Sequence, residues 1–162
     1  MDQNKLSEVA MALVAPKKGI LAADESFPTI EKRFKAIGIE STEESRRAYR
    51  EMLFTTEGIE EFLSGIILFD ETSHQRTHDG ILFVELLQKK GIIPGIKVDE
   101  GTEAMTDSPN EKVTKGLEGL PSRLPKYYEQ GARFAKWRAV ITIGEGIPTD
   151  ACIVENAKRL AE

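Results

Sequence analysis

The stretch Gly65-Ile66-Ile67-Leu68-Phe69 carries only glycine and apolar side chains, and the carboxylate of Asp70 follows it at once. A short continuous apolar run of this kind is typical of a strand buried on both faces, as in a parallel sheet covered by helices. Three further runs that are mostly apolar lie at residues 20–23, 92–98 and 134–143. Amphipathic helical patterns separate them, so strand and helix alternate four times. This alternation predicts an α/β fold built on a parallel sheet.

The helical segments carry recognisable start and stop signals. Near the N-terminus, apolar residues recur at helical spacing and predict a helix with one buried stripe, formed by Leu6, Val9, Ala10, Leu13 and Val14. Ser41 and Glu44 have the spacing of a capping box at the head of a helix whose Tyr49, Met52 and Leu53 are expected to point inward. Gly91 is expected to end the helix over residues 81–90, and Thr149 to cap the last helix.

The third strand and the segment after it are less regular. Pro94 lies inside the strand pattern and predicts a bulge or an edge position, because proline cannot donate a ladder hydrogen bond. Residues 99–117 are polar and rich in Gly, Thr, Asp and Asn. We expect them to form a long connection without regular structure, and such connections in compact domains are usually functional or mobile.

Charged side chains stand where the predicted strands end. Asp24 follows the first strand, Lys97 ends the third, and Lys136 and Arg138 lie in the fourth. A lysine in an apolar strand is costly to desolvate unless it lines a site. In α/β folds ligands bind at the carboxyl ends of the strands. The pattern therefore predicts one shared site for a phosphorylated, carbonyl-containing substrate, with Lys136 and Arg138 facing the same side.

Composition narrows the class of protein. The chain has 162 residues and a net charge of -5, which gives no global attraction to nucleic acid or to anionic membranes. The single Cys152 excludes an intrachain disulfide, is expected to be buried, and fits a reducing cytoplasm. No run approaches the roughly 20 apolar residues of a spanning helix, and no signal-peptide pattern is visible. We expect a soluble cytoplasmic protein with no nucleic-acid or membrane partner.

Several distinctive motifs run along the whole chain. They are Lys18-Gly-Ile-Leu-Ala-Ala-Asp-Glu-Ser26, Thr42-Glu-Glu-Ser-Arg-Arg47, Gly65-Ile-Ile-Leu-Phe69 with Glu71-Thr72, Gly95-Ile-Lys-Val-Asp99, Gly116-Leu-Glu-Gly-Leu120, Gly131-Ala-Arg-Phe-Ala-Lys-Trp-Arg138, Ile143-Gly-Glu145 and Glu155-Asn-Ala157. In this order they resemble the class I, Schiff-base fructose-bisphosphate aldolases.

The resemblance implies a (β/α)8 barrel of the TIM type, of which residues 1–162 would form about the first four βα units as a single partial domain. It implies a lyase of glycolysis and gluconeogenesis, which reversibly cleaves fructose 1,6-bisphosphate into dihydroxyacetone phosphate and glyceraldehyde 3-phosphate through a lysine Schiff base. No cofactor is implied. The family's Schiff-base lysine and its glutamate acid/base pair belong to family sequence that the motifs of this chain do not cover.

Residue roles carry over by motif. The resemblance implies that Asp24 is the catalytic carboxylate near the substrate carbonyl and hydroxyls. It implies that Lys136 is a catalytic cation that helps to keep a neighbouring amine unprotonated, and that Lys97 and Arg138 contact substrate and phosphate. The residues that resemble the region for the sugar's second phosphate are Ser26, Thr29, Lys32, Arg33 and Arg46. Hydroxyls at a helix start, with cations beside them, suit an anion.

Several residues admit a second interpretation. Lys136, beside Arg138, meets the physical condition for an imine-forming amine, although the resemblance makes it the neighbour of that amine. Asp24 could cap a helix, Lys97 could extend to water, and Arg46 could pair with glutamates on a solvated helix face. Side chains with an expected structural or surface role are Asp70, Glu71, His74 and His78; the two histidines lack a third metal ligand.

A different class of function also fits the sequence. The chain could be a catalytically inactive half-barrel that acts by association with another chain. Four βα units leave two open sheet edges, and open edges favour pairing. The expected partners are therefore a sugar-phosphate substrate and either a second copy of the chain or a complementary half.

Overall fold

The computed structural model of the chain describes residues 3–162. These residues fall into two compact units. The first unit consists of the residues up to Lys97 together with Tyr127–Ala135, and the second of Val98–Lys126 together with Lys136–Glu162. That residues 1–162 form one partial barrel domain stays a prediction.

Seven helices and six strands are present among the described residues. The strands are β1 (Gly19–Ala23), β2 (Leu63–Leu68), β3 (Ile93–Lys97), β4 (Thr102–Met105), β5 (Ser108–Thr114) and β6 (Phe134–Lys136). The helices are α1 (Gln3–Leu13), α2 (Phe27–Ala36), α3 (Glu43–Thr55), α4 (Asp70–His74), α5 (Phe83–Lys89), α6 (Leu120–Gln130) and α7 (Asp150–Ala161). A short 3₁₀ turn covers Ile59–Glu61. No described helix is long and apolar enough to cross a bilayer.

A four-stranded sheet in the order β1-β2-β3-β6 carries the fold. β1 runs parallel to β2, and β2 runs parallel to β3. In register, Ala23 pairs with Leu68, and Leu68 pairs with Ile96. All three residues are almost completely buried. The predicted α/β fold with a parallel sheet is confirmed.

The core of the first unit lies between this sheet and helices α3 and α5. Phe54 of α3 and Phe83 of α5 are fully buried and pack edge to face, with ring centroids 5.2 Å apart. Ile66 and Leu87 are also fully buried. Each such side chain contributes about 1.5–3 kcal/mol by leaving water, so this cluster fixes α3 and α5 against the sheet.

Two predictions of burial are wrong. β1 is an edge strand whose Ile20 is 43% exposed, because among the described residues β1 pairs with β2 on one side only. α1 forms at the predicted place, but none of its residues is buried. Both segments have the apolar composition of a core element without the neighbour that would cover it in the described part of the chain.

The head of α3 differs from the predicted capping box. Thr42, not Ser41, is the N-cap: its hydroxyl accepts a hydrogen bond from the Ser45 N–H at 3.1 Å, and the Ser45 hydroxyl accepts one from the Thr42 N–H at 2.9 Å. Each hydroxyl accepts the N–H of the other residue, with the three-residue spacing that was predicted for Ser41 and Glu44. The inward face of α3 also differs, because Arg50 is buried there while Met52 is 59% exposed.

Residues 99–117 contain regular structure where none was predicted. β4 and β5 form an antiparallel hairpin in the second unit, with a bulge between Ala104 and Met105. The buried residues of β5 are Glu111, Val113 and Thr114. A strand whose inward positions are mostly polar carries no hydrophobic alternation, so the sequence pattern does not reveal it.

The third and fourth predicted strands also need correction. No bulge interrupts the pairing of β2 with β3, and Pro94 lies inside β3, where its carbonyl accepts the N–H of Arg133 at 2.9 Å. The fourth strand ends at Lys136, whereas residues up to 143 were expected in it. Ile141 and Ile143 are 46% and 87% exposed, so the end of the apolar run after Lys136 is largely uncovered within the described chain.

Candidate functional site

The carboxyl ends of β1 and β3 bring two predicted site residues to one edge of the sheet. Asp24 follows β1 directly and is 7% exposed, and Lys97 is the last residue of β3 and half-buried. Each comes one position after the paired row of Ala23, Leu68 and Ile96. Neighbouring strands lie about 4.8 Å apart, which places the two backbones about 10 Å apart. A carboxylate and an ammonium at this spacing could hold a small oxygen-rich ligand between them.

The start of α2 presents two hydroxyls beside this edge. Ser26 is the N-cap residue, but its side chain caps no backbone N–H; its Oγ lies 3.2 Å from Oγ1 of Thr29. Pro28 supplies no N–H, and the Thr29 N–H donates to the Ser26 carbonyl at 2.9 Å. An anion at this helix start would therefore be bound mainly by hydroxyls and nearby cations. Lys32, on the same helix, is exposed.

Glu25, the residue between Asp24 and Ser26, is the centre of an ionic cluster. The carboxylate of Glu25 accepts hydrogen bonds from Arg33 through one oxygen and from Arg50 through the other. The Tyr49 hydroxyl lies 3.4 Å from the oxygen that Arg33 contacts. The side chains of Glu25 and Arg50 are 8% and 3% exposed, while that of Arg33 is 58% exposed. One carboxylate thus binds two guanidinium groups, one buried and one exposed.

Arg46 is held by protein acceptors. Its Nε donates to both oxygens of Glu71, at 2.8 and 3.0 Å, and one Nη donates to Glu71 at 2.6 Å. Another Nη donates to the Ser41 carbonyl at 3.0 Å. The hydrogen bond and charge of Glu71 raise the pKa of Arg46 further above its usual range. The guanidinium also lies 4.7 Å from the centre of the Phe27 ring. Its glutamate partner is on α4, not on the solvated face of its own helix.

The other two predicted site residues belong to the second unit. Lys136 ends β6, is half-buried, and its carbonyl accepts the Val98 N–H at 3.1 Å. Arg138 lies beyond the strand and is exposed; its carbonyl accepts the Thr114 hydroxyl at 2.6 Å. Because β6 ends at Lys136, the predicted strand alternation does not relate these two side chains.

Glu111 is the most deeply buried carboxylate of the second unit. One oxygen accepts the Thr149 N–H and the other accepts the Thr149 hydroxyl, both at 2.7 Å. Burial raises the pKa of Glu111, but hydrogen bonds from Thr149 and Ser108 outweigh it, so the pKa lies below its ordinary value. Thr149 in turn caps α7 by accepting the Cys152 N–H at 3.2 Å. Cys152 is fully buried, as predicted, and burial raises the pKa of its thiol.

Asp70 and Glu71 each bond to another side chain. The Tyr127 hydroxyl donates to Asp70 at 2.7 Å, and Glu71 holds Arg46. His74 and His78 are exposed. Among residues 3–162, no three His, Cys, Asp or Glu side chains are grouped as metal ligands.

Sequence reasoning missed the Glu25–Arg50 pair. The two residues are 25 positions apart, and no spacing rule links them. One signal was present: Arg50 precedes Phe54 by four residues and so shares its helix face, which places a cation on the buried side of α3. A buried arginine almost always has a partner, and Glu25 is the acidic residue next to the predicted catalytic carboxylate.

A family model and individual relatives match this chain along almost its whole length. The family model for Fructose-bisphosphate aldolase class-I matches residues 5–162. A probable fructose-bisphosphate aldolase class 1 of Xanthomonas campestris pv. campestris is 57% identical over 161 residues, which is 99% of this chain and 48% of the relative. Fructose-bisphosphate aldolase 1 of Toxoplasma gondii is 54% identical over 97% of this chain and 44% of its own length.

A solved structure agrees. Fructose-bisphosphate aldolase from Plasmodium falciparum, in complex with TRAP and a small molecule inhibitor, superposes with a TM-score of 0.95 at 49% identity. The match covers 98% of this chain and 46% of that one. The chain therefore spans about half the length of the relatives it matches, and its sheet corresponds to part of a TIM barrel. The chain belongs to the class I fructose-bisphosphate aldolase family.

Proposed function

We propose that the chain contributes substrate-binding and catalytic residues to the activity of its family: the reversible cleavage of fructose 1,6-bisphosphate to dihydroxyacetone phosphate and glyceraldehyde 3-phosphate, a lyase reaction of glycolysis and gluconeogenesis. One observation carries the proposal. Asp24 and Lys97, each inside a family motif, lie at the same edge of the sheet at the ends of β1 and β3. Its relatives are named as aldolases, which favours the enzyme over an inactive half-barrel.

The chemistry assigns each group a task. Breaking the carbon–carbon bond leaves an electron pair that a protonated imine on the substrate carbonyl can accept. Asp24 serves as the carboxylate that orients the carbonyl and hydroxyls and assists proton transfer. Lys136 supplies positive charge that favours an unprotonated neighbouring amine, because a nearby cation lowers the pKa of an amine. The resemblance assigns the imine itself to a lysine in family sequence that this chain does not match.

The phosphates require cations and hydroxyls. In the first unit these are Lys97, Ser26, Thr29, Lys32, Arg33 and Arg46; Arg138, in the second unit, keeps its implied phosphate role. Arg33 is the best placed of the arginines, because Glu25 engages one end of its guanidinium and more than half of the side chain is exposed. Arg46 contributes less, since Glu71 balances its charge and Glu71 and Ser41 take most of its donors.

The setting of the reaction follows from the relatives and from composition. Two relatives in Arabidopsis thaliana are named as cytosolic aldolases, which supports a cytoplasmic location. The net charge of -5 argues against nucleic-acid or membrane partners. We expect no cofactor, and we expect a homo-oligomer or pairing with a complementary half.

The proposal is tested by calorimetric titration of the chain with fructose 1,6-bisphosphate. We expect saturable binding that Lys97→Met weakens about tenfold, because a charge-assisted hydrogen bond to phosphate is worth roughly 1.5–3 kcal/mol. Lys89→Met is the matched control, since Lys89 is an exposed lysine in the last turn of α5. Absence of binding by the unsubstituted chain, or equal loss with both substitutions, would contradict the proposal.

Borohydride trapping separates binding from imine chemistry. The chain is mixed with dihydroxyacetone phosphate, reduced, and analysed by intact mass and peptide mapping. We expect no adduct, because the residues assigned here bind and orient the substrate. An adduct on Lys97 or Lys136 would show that this chain forms the imine itself and would overturn the auxiliary role of Lys136.

A further inference from the structure

Arg50 contacts no side chain that is predicted to bind substrate, but it contacts the residue between two that are, Asp24 and Ser26. One Nη donates to the carboxylate of Glu25, and the other donates to the main-chain carbonyl of the same residue at 3.2 Å. Glu25 stands between Asp24 and Ser26 in sequence. The fork of a single guanidinium therefore fixes both the side chain and the peptide of the residue that joins the catalytic carboxylate to the start of α2.

The same cluster also holds Arg33, one of the residues predicted to bind phosphate. The Glu25 oxygen that Arg50 does not contact binds Arg33, so the exposed guanidinium of Arg33 is anchored at one end on a buried carboxylate. The ring of Tyr49 supports the cluster from the side, with the Arg50 guanidinium 5.1 Å from its centre. Asp24 and Ser26 are thereby linked to Arg50 through their peptide bonds with Glu25, and Arg33 through the shared Glu25 carboxylate.

The buried location of the pair argues for a positioning role. Burying two charges is costly, and an apolar pair is often as stable as a buried ion pair or more so. Stability alone is thus a weak reason for a 3% exposed arginine against an 8% exposed glutamate. A rigid connection between β1 and α2 is a sufficient reason, because a misplacement of about 1 Å in a substrate-binding group can cost a factor of about 100 in rate.

We propose that Arg50 is a positioning residue that acts through Glu25, holding the Asp24–Ser26 segment and the guanidinium of Arg33 in the arrangement that binds a sugar phosphate. The inference rests on the proposed function and names two residues that the family motifs leave without a role. Glu25 is an anchor for Arg33 in this arrangement, not a competitor of the phosphate.

Substitutions that keep the fold can separate positioning from charge balance. Arg50→Lys keeps the positive charge opposite Glu25, but an ammonium lacks the fork that reaches the side chain and the carbonyl together. The double substitution Glu25→Gln with Arg50→Gln removes both charges and leaves no buried ion unpaired. Arg47→Gln is the matched control, because Arg47 lies on the same helix and pairs with Glu44 and Glu51.

Each variant is tested by thermal melting and by calorimetric titration with fructose 1,6-bisphosphate. We expect Arg50→Lys to raise Kd about tenfold, and the double variant to melt near the unsubstituted chain yet bind as weakly as Arg50→Lys. We expect Arg47→Gln to bind normally. The amide nitrogen of Ser26 should shift in the NMR spectrum of Arg50→Lys without ligand, because the carbonyl of the same peptide loses its arginine donor.

The outcomes are distinct. If the unsubstituted chain binds and either folded Arg50 variant has the same Kd, this inference fails and the proposed function stands. Tighter binding by the double variant would also overturn it, because Glu25 would then compete with phosphate for Arg33. If the unsubstituted chain does not bind, the proposed function fails and the inference falls with it.

Discussion

At Gly95 the main chain of β3 passes so close to the ring of Phe134 that no side chain fits. A Cβ at this position would lie 2.3–2.6 Å from three ring atoms. We expect Gly95→Ala to destabilise the protein by about 1–3 kcal/mol, because the half-buried ring of Phe134 must move away from β3. The measurement is the free energy of unfolding from urea denaturation.

Gly19→Ala is the control for this substitution. Gly19 lies in β1 with no atom within 4 Å of the added Cβ, and its φ is not in the left-handed region. We expect a change of less than about 0.5 kcal/mol. Equal effects of the two substitutions would show that the contact with Phe134 is not the cause. Phe134→Leu combined with Gly95→Ala should recover part of the lost stability.

Single residues also show how far sequence reasoning reaches. Asp24 and Lys97 could be placed at one edge because strand ends in parallel sheets meet there, and the register confirms that placement. The partners of Arg46 and Arg50 could not be predicted, because Glu71 and Glu25 are each 25 residues away and lie outside α3. Ion pairs between elements depend on packing geometry, which local patterns do not encode.

At the scale of elements, the start of α3 depends on the reciprocal Thr42 and Ser45 bonds. We expect Thr42→Ala to cost about 1 kcal/mol, as is usual for loss of an N-cap side chain. Ser41→Ala should change stability by less than about 0.5 kcal/mol, since the Ser41 hydroxyl makes only a 3.5 Å contact with Arg46. Both are measured by urea denaturation. A larger effect at Ser41 than at Thr42 would show that Ser41 is the N-cap, as the sequence predicted.

The junction of β5 and α7 should respond to acid. The folded-state pKa of Glu111 lies below the ordinary value of 4.5, so its stabilising contribution is complete above pH 4.5 and is lost as the pH falls through the lowered value. Thr149→Val removes a donor to this carboxylate, which should move the acid transition to higher pH. Fluorescence of Trp137, the single tryptophan, reports on the second unit.

Thr149→Ser keeps the hydroxyl and serves as the control, with an acid midpoint expected near that of the unsubstituted chain. Thr149→Val also removes the cap of α7, which lowers stability at every pH by about 1 kcal/mol. The role of Glu111 is supported only if the midpoint shifts further than the uniform loss of stability from the missing cap would shift it. A loss of stability of the same size at neutral and at acid pH would contradict it, because Glu111 stabilises the fold only where its carboxylate is ionised.

At the scale of the whole molecule, the alternation of apolar runs was sufficient to predict the parallel sheet, whereas the TIM barrel was implied only by the resemblance of the motifs. The alternation failed where burial depends on a neighbour. The hairpin of β4 and β5 was missed because polar side chains occupy most of its inward positions, and residues 137–143 were assigned to a strand because they are apolar. Apolar composition records that a segment is to be covered, whereas strand formation also needs a partner with free backbone groups.

The open edge of β1 predicts that the chain associates. In the described residues β1 pairs only with β2, and its Ile20 is exposed, as are Leu6, Met11 and Val14 on or next to α1. An open strand edge with apolar neighbours is a template for pairing. We expect sedimentation equilibrium to give a mass that is a multiple of 18.0 kDa. Ile20→Lys, which places a charge on the edge strand, should lower the fraction associated, whereas Met11→Lys tests the helix surface alone. A persistent monomer would contradict the prediction, and loss of association with Met11→Lys only would assign the interface to α1.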